Sequence, residues 1–313
     1  MQLRRGGLDA SAFPGTRTIA SSIPPRAFAA LLLGNLALAF GPWMVRLSDV
    51  GPAAAGFWRL ALALPFLLVL ARAMRQPAHW PGRSAAAVIA VAAFFFAADL
   101  AAWHAGIHLT KLGNATLFGN VASFAFAGWG LWLARALPTR MQGAALLLAA
   151  LGSALLMAGS AELSARYLHG DLLALLAGLL YAGYLISIER VRGSVQPLPV
   201  LILASAFGAA MLLPFALATG ETVWPTQWSA LLLLALGSQV VGQGCLVYAL
   251  GQVPPLVVGL ALLTQPAVSA LIGWLAYDEA MTSLDFLGAL AIGAALVLVR
   301  LHAPPPEPKS QEP

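Results

Sequence analysis

Apolar residues run through this sequence in long continuous blocks, without alternation between apolar and polar positions. A helix needs about 20 apolar residues to cross a bilayer, and ten blocks approach that length. The blocks cover residues 27–47, 52–71, 84–107, 113–134, 142–160, 170–189, 198–218, 228–250, 256–277 and 284–301. Continuous blocks are typical of helices, whereas the strands of a membrane barrel alternate. The pattern predicts an all-α integral membrane protein of ten transmembrane helices.

The composition agrees with a surface that faces lipid. Hydrophobic residues make up 60% of the chain and charged residues only 9%, whereas soluble domains contain about 25% charged residues. The net charge of +5 does not indicate nucleic-acid binding, because the basic residues lie between the apolar blocks. We therefore expect the lipid bilayer as the surroundings of this chain and no nucleic-acid partner.

The basic residues also predict the orientation. If the N-terminus is cytoplasmic, 13 of the 17 Lys and Arg residues fall on the cytoplasmic side. Arg46, Lys111 and Arg166 fall on the other side, and Arg59 lies inside the second block. Because positive charge accumulates in cytoplasmic loops, we expect a multi-pass protein of a bacterial inner membrane with both termini in the cytoplasm. The ends, 1–25 and 302–313, are predicted to be disordered cytoplasmic tails.

An internal repeat appears when the chain is shifted by 145 positions. The matches pair Gly128-Trp129 with Gly273-Trp274, Gly143-Ala144 with Gly288-Ala289, and Asn120 with Gln265. Five helices per half is an odd number, so the second half is predicted to insert upside down relative to the first. Inverted repeats are common in secondary transporters, whose substrate site lies at the repeat interface near the midplane. The two repeats are predicted at 26–161 and 168–301.

Asp99 is the most informative single residue, because a charge in the bilayer centre costs at least about 2.5–3.5 kcal/mol. It could contact a substrate ammonium group, carry a proton, or form a structural pair with Arg59. Trp103, one helical turn later, could stack on a substrate or lie at the membrane interface. His104 could move protons or bind substrate, or it could lie near the outer surface.

Two amides are related by the repeat. Asn120 and Gln265 either form an interhelical hydrogen bond or line a central cavity, and the symmetry favours the cavity. Pro266, beside Gln265, removes a backbone hydrogen bond, and such interruptions point to binding sites. In the eighth predicted helix, Gln243 and Tyr248 recur where the third helix has its polar face, so both are candidate substrate contacts.

Four further residues complete the prediction. Tyr181 and Tyr184, three positions apart, would offer aromatic walls with hydroxyl groups, although packing alone could also explain them. Trp43 could close one end of the cavity, but an anchor at the membrane surface is favoured. Glu279 is expected to orient the adjoining loop and not to contact substrate.

The last two blocks resemble a known family. They read Leu263-Thr264-Gln265-Pro266, Gly273-Trp274, Asp278-Glu279-Ala280-Met281-Thr282 and Leu287-Gly288-Ala289. This order resembles the EamA-type half of the drug/metabolite transporter superfamily, and Phe57-Trp58-Arg59 resembles its first half. The resemblance covers roughly residues 27–301. Val121 and Ala134 stand where the second half has Pro266 and Glu279, which departs from the family pattern.

Within this family, the chain is most similar to the ten-helix amino-acid exporters of the YddG type. The resemblance implies a secondary transporter that exports amino acids, aromatic ones included, or related small amphipathic metabolites. A cavity with Trp, Tyr, amides and one acid suits a zwitterion with an apolar side chain, and it would also suit a cationic drug. A proton is a candidate coupling ion.

Other classes of protein fit the sequence less well. No metal-ligand spacing, phosphate-binding loop or nucleophile motif occurs, so neither a cofactor nor a metal is expected. A membrane-embedded enzyme would need clustered polar residues near one interface, and a channel would need rings of polar residues. A nucleotide-sugar carrier would need several Lys or Arg residues at the midplane, and only Arg59 approaches that depth.

Overall fold

The computed structural model describes residues 23–76, 80–110, 112–135, 137–158, 164–277 and 282–301. Every regular element in these ranges is a helix. Glu279, whose predicted role is to orient a loop, lies outside the described residues.

The first half of the chain contains seven α-helices within the described ranges. They are α1 (Pro25–Ala39), α2 (Gly41–Arg46), α3 (Pro52–Ala73), α4 (Arg83–Leu109), α5 (Leu112–Gly119), α6 (Val121–Ala134) and α7 (Arg140–Ala158). The prolines at the starts of α1 and α3 suit the first helical position, because no helical hydrogen bond needs their missing N–H group.

The second half continues in the same way. It contains α8 (Leu168–Arg192), α9 (Pro197–Ala218), α10 (Ser229–Leu233), the π-helix π1 (Leu234–Gln243), α11 (Gly244–Leu250), α12 (Pro255–Leu262), α13 (Thr264–Tyr277) and α14 (Ser283–Leu301). Together, α10, π1 and α11 form one continuous helical rod, Ser229–Leu250.

Eight helical segments in the described part of the chain are long and apolar enough to cross a membrane. Two shorter apolar segments, Arg140–Leu156 and Pro255–Ser269, occupy the places of the fifth and ninth predicted spans. The all-helical, membrane-spanning character of the chain therefore agrees with the sequence pattern. The count of ten spans and the cytoplasmic position of both termini stay predictions.

The repeat offset of 145 positions reappears in the helix boundaries. Adding 145 to the bounds of α3 gives the bounds of α9 at both ends. A hydrogen bond from each half repeats as well: the Gln76 side chain accepts from the Leu198 amide (3.4 Å), and the Glu221 carboxylate accepts from the Ala54 amide (2.9 Å). Glu221 lies 145 positions after Gln76. The two acceptors therefore correspond under the offset, while the donors differ by one position, since Ala54 corresponds to Pro199, which has no N–H group.

Helix packing follows the same correspondence. α4 packs on α8. Under the offset, α1 is equivalent to α8, and π1 with α11 is equivalent to α4. The matching contact is present, because α1 packs on π1 and α11. α7 packs on α14 by close backbone approach: a Cβ atom on Gly152 would lie 2.7 Å from the Gly288 carbonyl oxygen. Small residues allow such approach between helices in a membrane.

The fourth and ninth predicted helices, which contain Asn120 and Gln265, are each interrupted near the centre. The second break separates α12 from α13 at Leu263, and Pro266 lies in the first turn of α13, where a missing N–H group is tolerated. The first break separates α5 from α6 at Asn120, with no proline in the turn that follows. Proline therefore accompanies the interruption in one half and is not required for it in the other.

The eighth predicted helix differs from a regular α-helix over its central ten residues, which form π1. A π-helix joins residues i and i+5 by backbone hydrogen bonds, so Ser238 and Gln243 share one face. The corresponding part of α4 is a regular α-helix. Periodicity could not reveal this difference, because the segment is apolar on most sides and its small residues suit either geometry.

Candidate functional site

A cavity of about 110 Å³ lies in the centre of the helix bundle. Residues from both halves line it, including α1 to α6 from the first half and α8, π1, α12 and α13 from the second. The polar side chains used below are Arg59, Asp99, His104, Asn120, Gln243 and Gln265. Five of these six were predicted from the sequence as candidate substrate contacts.

Arg59 and Asp99 place a guanidinium and a carboxyl group on the cavity wall. Both are buried, with 6% and 8% of their surfaces exposed. Among the described residues, Asp99 has no hydrogen-bond donor and no salt-bridge partner, so it makes no direct contact with Arg59. Buried ionisable groups are normally paired or hydrogen-bonded, so a guanidinium and a carboxyl group without a direct contact indicate a site that is completed by something else.

A short chain of side chains holds Arg59 in position. Its Nε atom donates to Gln239 Oε1 (3.1 Å), and Gln239 Nε2 donates to Ser205 Oγ (3.0 Å). The guanidinium carbon lies 5.5 Å from the centre of the Phe96 ring, within cation–π range. Gln239 and Ser205 are fully buried. These two hydrogen bonds therefore fix the guanidinium through Nε. Within the described part of the protein, they leave the terminal nitrogens of Arg59 for other partners.

An aromatic and amide cluster forms a second wall. Tyr184 donates to Gln243 Oε1 (3.2 Å), and Gln243 Nε2 donates to the Tyr181 hydroxyl oxygen (3.1 Å). Phe96 stacks on Tyr184 with ring centres 4.5 Å apart. Tyr181 and Gln243 line the cavity, whereas Tyr184 is completely buried behind them. Tyr184 thus lies one layer back from the cavity and orients Gln243.

His104 contacts the first turn of α3. Its Nδ1 atom lies 2.9 Å from the Pro52 carbonyl oxygen, which can only accept, so Nδ1 carries the hydrogen. Nε2 is buried and has no hydrogen-bond partner among the described residues. A neutral imidazole in this tautomer presents Nε2 as an acceptor. His104 is fully buried in the bundle and lines the cavity.

Other buried polar atoms close to the cavity also lack partners among the described residues. They are Asn35 Nδ2, Asn120 Nδ2 and Ser238 Oγ. Gln265 Nε2 donates to Asn35 Oδ1 (3.3 Å), so one of the two predicted amides makes an interhelical bond and lines the cavity as well. Because buried polar groups are nearly always hydrogen-bonded, this concentration of unpaired atoms marks a place for a polar ligand or water.

Trp103 and Tyr248 occupy unlike surroundings although they are 145 positions apart. The Trp103 ring lines the cavity and packs on Gly119, where an added Cβ atom would lie 2.5 Å from the ring. Tyr248 lies in α11, packed against the hydrophobic core and away from the cavity lining. The two therefore share a repeat position but not a function in this conformation.

One end of the bundle is tightly closed by α6 and α12. A Cβ atom on Gly259 would lie 2.5 Å from the Ser123 carbonyl oxygen, and one on Gly130 would lie 2.9 Å from Pro255 Cβ. These helices are therefore in backbone contact. At the same end, the Arg190 guanidinium lies over the Trp129 ring, 4.8 Å from its centre. The cavity instead lies between α5 and α13.

The remaining predicted residues lie beside the cavity. Trp43 is in α2, half-buried, with its ring centre 6.4 Å from that of Phe40. Pro266 is buried next to Gln265. Neither belongs to the lining. From the sequence, Arg59 was considered only as a structural partner of Asp99 and not as a substrate contact. The rule that marks intramembrane charges as functional applied to Arg59 as well.

Part of this chain resembles a known family of transporters. Residues 168–301, which contain α8 to α14, match the EamA-like transporter family. The match covers less than half of the chain. A protein of Archaeoglobus fulgidus described as an uncharacterized transporter is 26% identical over 265 residues, covering 81% of this chain and 89% of its own.

The fold also resembles that of a protein solved by crystallography. The two superpose with a TM-score of 0.72 at 17% sequence identity, covering 89% of this chain and 96% of the other. This likeness supports the fold alone. Together, the EamA match and the archaeal relative support a membrane transporter and point away from an enzyme.

Proposed function

We propose that this chain is a secondary active transporter that exports amino acids, aromatic ones included, or related small amphipathic metabolites by alternating access. The observation that carries the proposal is the central cavity. It lies between helices of both halves, it is lined by buried polar atoms that have no partner in the described part of the chain, and it is blocked at one end. Sites of this kind at the interface of inverted repeats are typical of secondary transporters.

The predicted orientation assigns a side to each end. Arg135, Arg140 and Arg190 lie beside the closed end formed by α6 and α12, and basic residues favour the cytoplasm. The cavity side, between α5 and α13, then faces outward. In this interpretation the conformation is outward-facing, and the inward-facing one would separate α6 from α12 and bring α5 and α13 together.

Export and membership of the YddG-type subfamily rest on resemblance. The sequence contains no nucleotide-binding motif, so a gradient of an ion or of the substrate would supply the energy. His104 supports a proton as the coupling ion, because its buried Nε2 atom is an acceptor on the cavity wall. A bacterial inner membrane is the proposed location.

A cationic drug is the second candidate substrate, since Asp99 could pair with a cation. Arg59 in the same cavity opposes this candidate, because a substrate without an anionic group would leave the guanidinium unpaired. The two candidates therefore differ in whether the substrate must carry a carboxylate.

The test is transport by purified protein in proteoliposomes with a panel of labelled amino acids, with and without an imposed proton gradient. We expect saturable movement of at least one amino acid and a rate that responds to the gradient. Movement of cationic drugs without movement of any amino acid would favour the second candidate. No movement of any solute by folded protein would contradict the transporter proposal.

A further inference from the structure

We infer that Arg59 and Asp99 are the two poles of a zwitterion site, so that the transported molecule carries both a carboxylate and an ammonium group. This inference rests on the proposed transport function and specifies its substrate class as a neutral α-amino acid with an apolar side chain. It depends on three features of the cavity: a fixed guanidinium, a separate carboxylate and an apolar wall.

The guanidinium of Arg59 is presented as a binding group. Gln239 accepts from Nε, and Phe96 lies under the guanidinium plane, so the position of the group is set by two contacts. Neither contact uses the terminal nitrogens, for which the described residues provide no hydrogen-bond acceptor. The planar fork of an Arg side chain matches a carboxylate with two parallel hydrogen bonds.

Asp99 provides the opposite pole from α4. Its carboxylate lines the same cavity without a donor among the described residues. If the cavity served only packing, Asp99 and Arg59 would be expected to pair directly, since a buried unpaired charge is costly. A bound zwitterion satisfies both charges at once, whereas a molecule with one charge leaves the other unpaired.

The side chain of the substrate is specified by what remains of the wall. Phe96, Leu100 and Trp103 provide apolar surface. Among the described lining residues, Arg59 and Asp99 are the two that belong to the ionisable types Asp, Glu, Lys and Arg. A substrate with a third charge would find no partner of opposite sign beyond this pair. An uncharged, apolar side chain is therefore the class that the cavity accommodates.

Binding to the purified full-length protein tests this inference without relying on transport. All twenty amino acids are first screened by isothermal calorimetry, and the tightest ligand is compared with its decarboxylated amine and its deaminated acid. We expect a neutral apolar amino acid to bind most tightly and each one-charge analogue to bind at least tenfold more weakly. Equal binding of all three compounds, or of no amino acid, overturns the inference.

The Gln239→Glu variant tests the carboxylate pole. Because Gln239 Oε1 already accepts from Arg59, a Glu side chain there would pair with the guanidinium, and Ser205 could donate to it. We expect the amino acid to bind at least tenfold more weakly, with binding of the amine unchanged or stronger. Arg59→Lys, which keeps the charge but loses the fork, should fall between this variant and wild type.

The Asp99→Asn variant tests the ammonium pole in the same way. It should weaken binding of the amino acid at least tenfold while leaving binding of the deaminated acid unchanged or stronger. Arg72→Gln is the matched control, because Arg72 lies on the same helix as Arg59 but is exposed, and it should bind like wild type. Parallel losses for all three compounds in either pole variant would contradict the assignment.

The proposed transport function can fail separately. If proteoliposomes move a solute that lacks one of the two charges, the transporter remains and the zwitterion site is wrong. If amino acids bind with the expected pattern but none is moved in either direction, the site stands and the transport proposal is wrong.

Discussion

The two ends of the helix bundle differ although the repeat supplies both. At one end α6 and α12 touch through Gly130 and Gly259, and the Arg190 guanidinium covers Trp129. At the other end the cavity lies between α5 and α13, and Trp274, the equivalent of Trp129, is 49% exposed. Corresponding segments of one repeated architecture thus adopt a closed and an open arrangement.

Sequence differences between the repeats explain part of this contrast. The position equivalent to Gly259 is Asn114, and the one equivalent to Gly130 is Leu275, so the glycines that allow backbone contact at the closed end have larger counterparts at the open end. The closed end can therefore pack more tightly than the open end ever could. We expect the two ends to be unequal gates rather than mirror images.

The glycine contact offers the largest predicted effect. In Gly259→Val, the new side chain would clash with the Ser123 carbonyl oxygen and force α12 away from α6. Overpacking costs about 1–3 kcal/mol, which shifts a two-state equilibrium about 5- to 150-fold. We expect the closed end to open, measured as faster reaction of Tyr248→Cys with an impermeant maleimide in inside-out vesicles, with Cys245 first replaced by Ala.

A neighbouring pair of glycines provides the matched control for this experiment. A Cβ atom on Gly130 would meet Pro255 at 2.9 Å, whereas one on Gly128 would meet nothing within 4 Å. Gly130→Val should therefore accelerate labelling as Gly259→Val does, and Gly128→Val should not. Unchanged labelling in folded Gly259→Val and Gly130→Val protein would show that this contact does not act as a gate.

The repeat-related pair Trp103 and Tyr248 predicts a smaller effect that depends on the side of the membrane. Trp103 lines the cavity, whereas Tyr248 follows Val247, whose carbonyl oxygen accepts a hydrogen bond from Arg192 near the closed end. Trp103→Ala should raise the KM for substrate on the cavity side about 2- to 12-fold, because an aromatic contact contributes about 0.5–1.5 kcal/mol. Tyr248→Ala should raise the KM on the opposite side.

Initial rates in right-side-out and inside-out vesicles would separate these two effects. Gel filtration of each purified variant would establish that it is folded. If each variant changed the KM equally on both sides of the membrane, the two residues would act on the same conformation. The prediction that Trp103 and Tyr248 serve opposite sides would then be wrong.

A tether between two loops at the open end predicts the smallest effect. The Asp49 carboxylate accepts hydrogen bonds from the Thr226 hydroxyl and from the Thr226 amide (2.7 Å). The Thr226 side chain, above all, holds the pKa of Asp49 below its usual value of 3.8. A lowered carboxyl pKa stabilises the folded state above about pH 4 and stops doing so as the pH falls through the lowered value.

Asp49→Asn should therefore melt at a slightly lower temperature than wild type at pH 7, and the difference should disappear in acid. Thermal unfolding followed by intrinsic fluorescence in detergent would measure both values. Ser84→Ala, on an exposed residue at the other end of the bundle, is the control and should show no pH-dependent difference. A difference in melting temperature between Asp49→Asn and wild type that persists in acid would mean that the tether does not act through the carboxylate charge.

Much of the central cavity follows from the sequence for simple reasons. Asp99, His104 and Asn120 are polar residues in apolar surroundings, and in a membrane such residues are expected to face the bundle interior. The repeat then related Asn120 to Gln265, and both line the cavity. Their assignment as substrate contacts stays a prediction, which the binding experiments above would test.

Other residues needed contacts between distant helices. Tyr184 and Tyr248 carry the same signals as Tyr181. Tyr184 lies behind the cavity wall, and Tyr248 lies beside Val247, which Arg192 contacts near the closed end. The hydrogen-bond chain from Arg59 through Gln239 to Ser205 joins α3, π1 and α9. Helical periodicity describes which residues share a face of one helix, and it contains no information on which helix that face meets.

The sequence by itself determined the membrane-spanning helical architecture, the repeat and the polar positions, because each depends on transfer of side chains and backbone from water to lipid, which is local in the chain. Only the tertiary structure decided which end is closed, which repeat partner reaches the cavity, and that Arg59 and Asp99 remain apart. These outcomes depend on packing between helices that are far apart in sequence, where the presence of a single glycine can determine how closely two backbones approach.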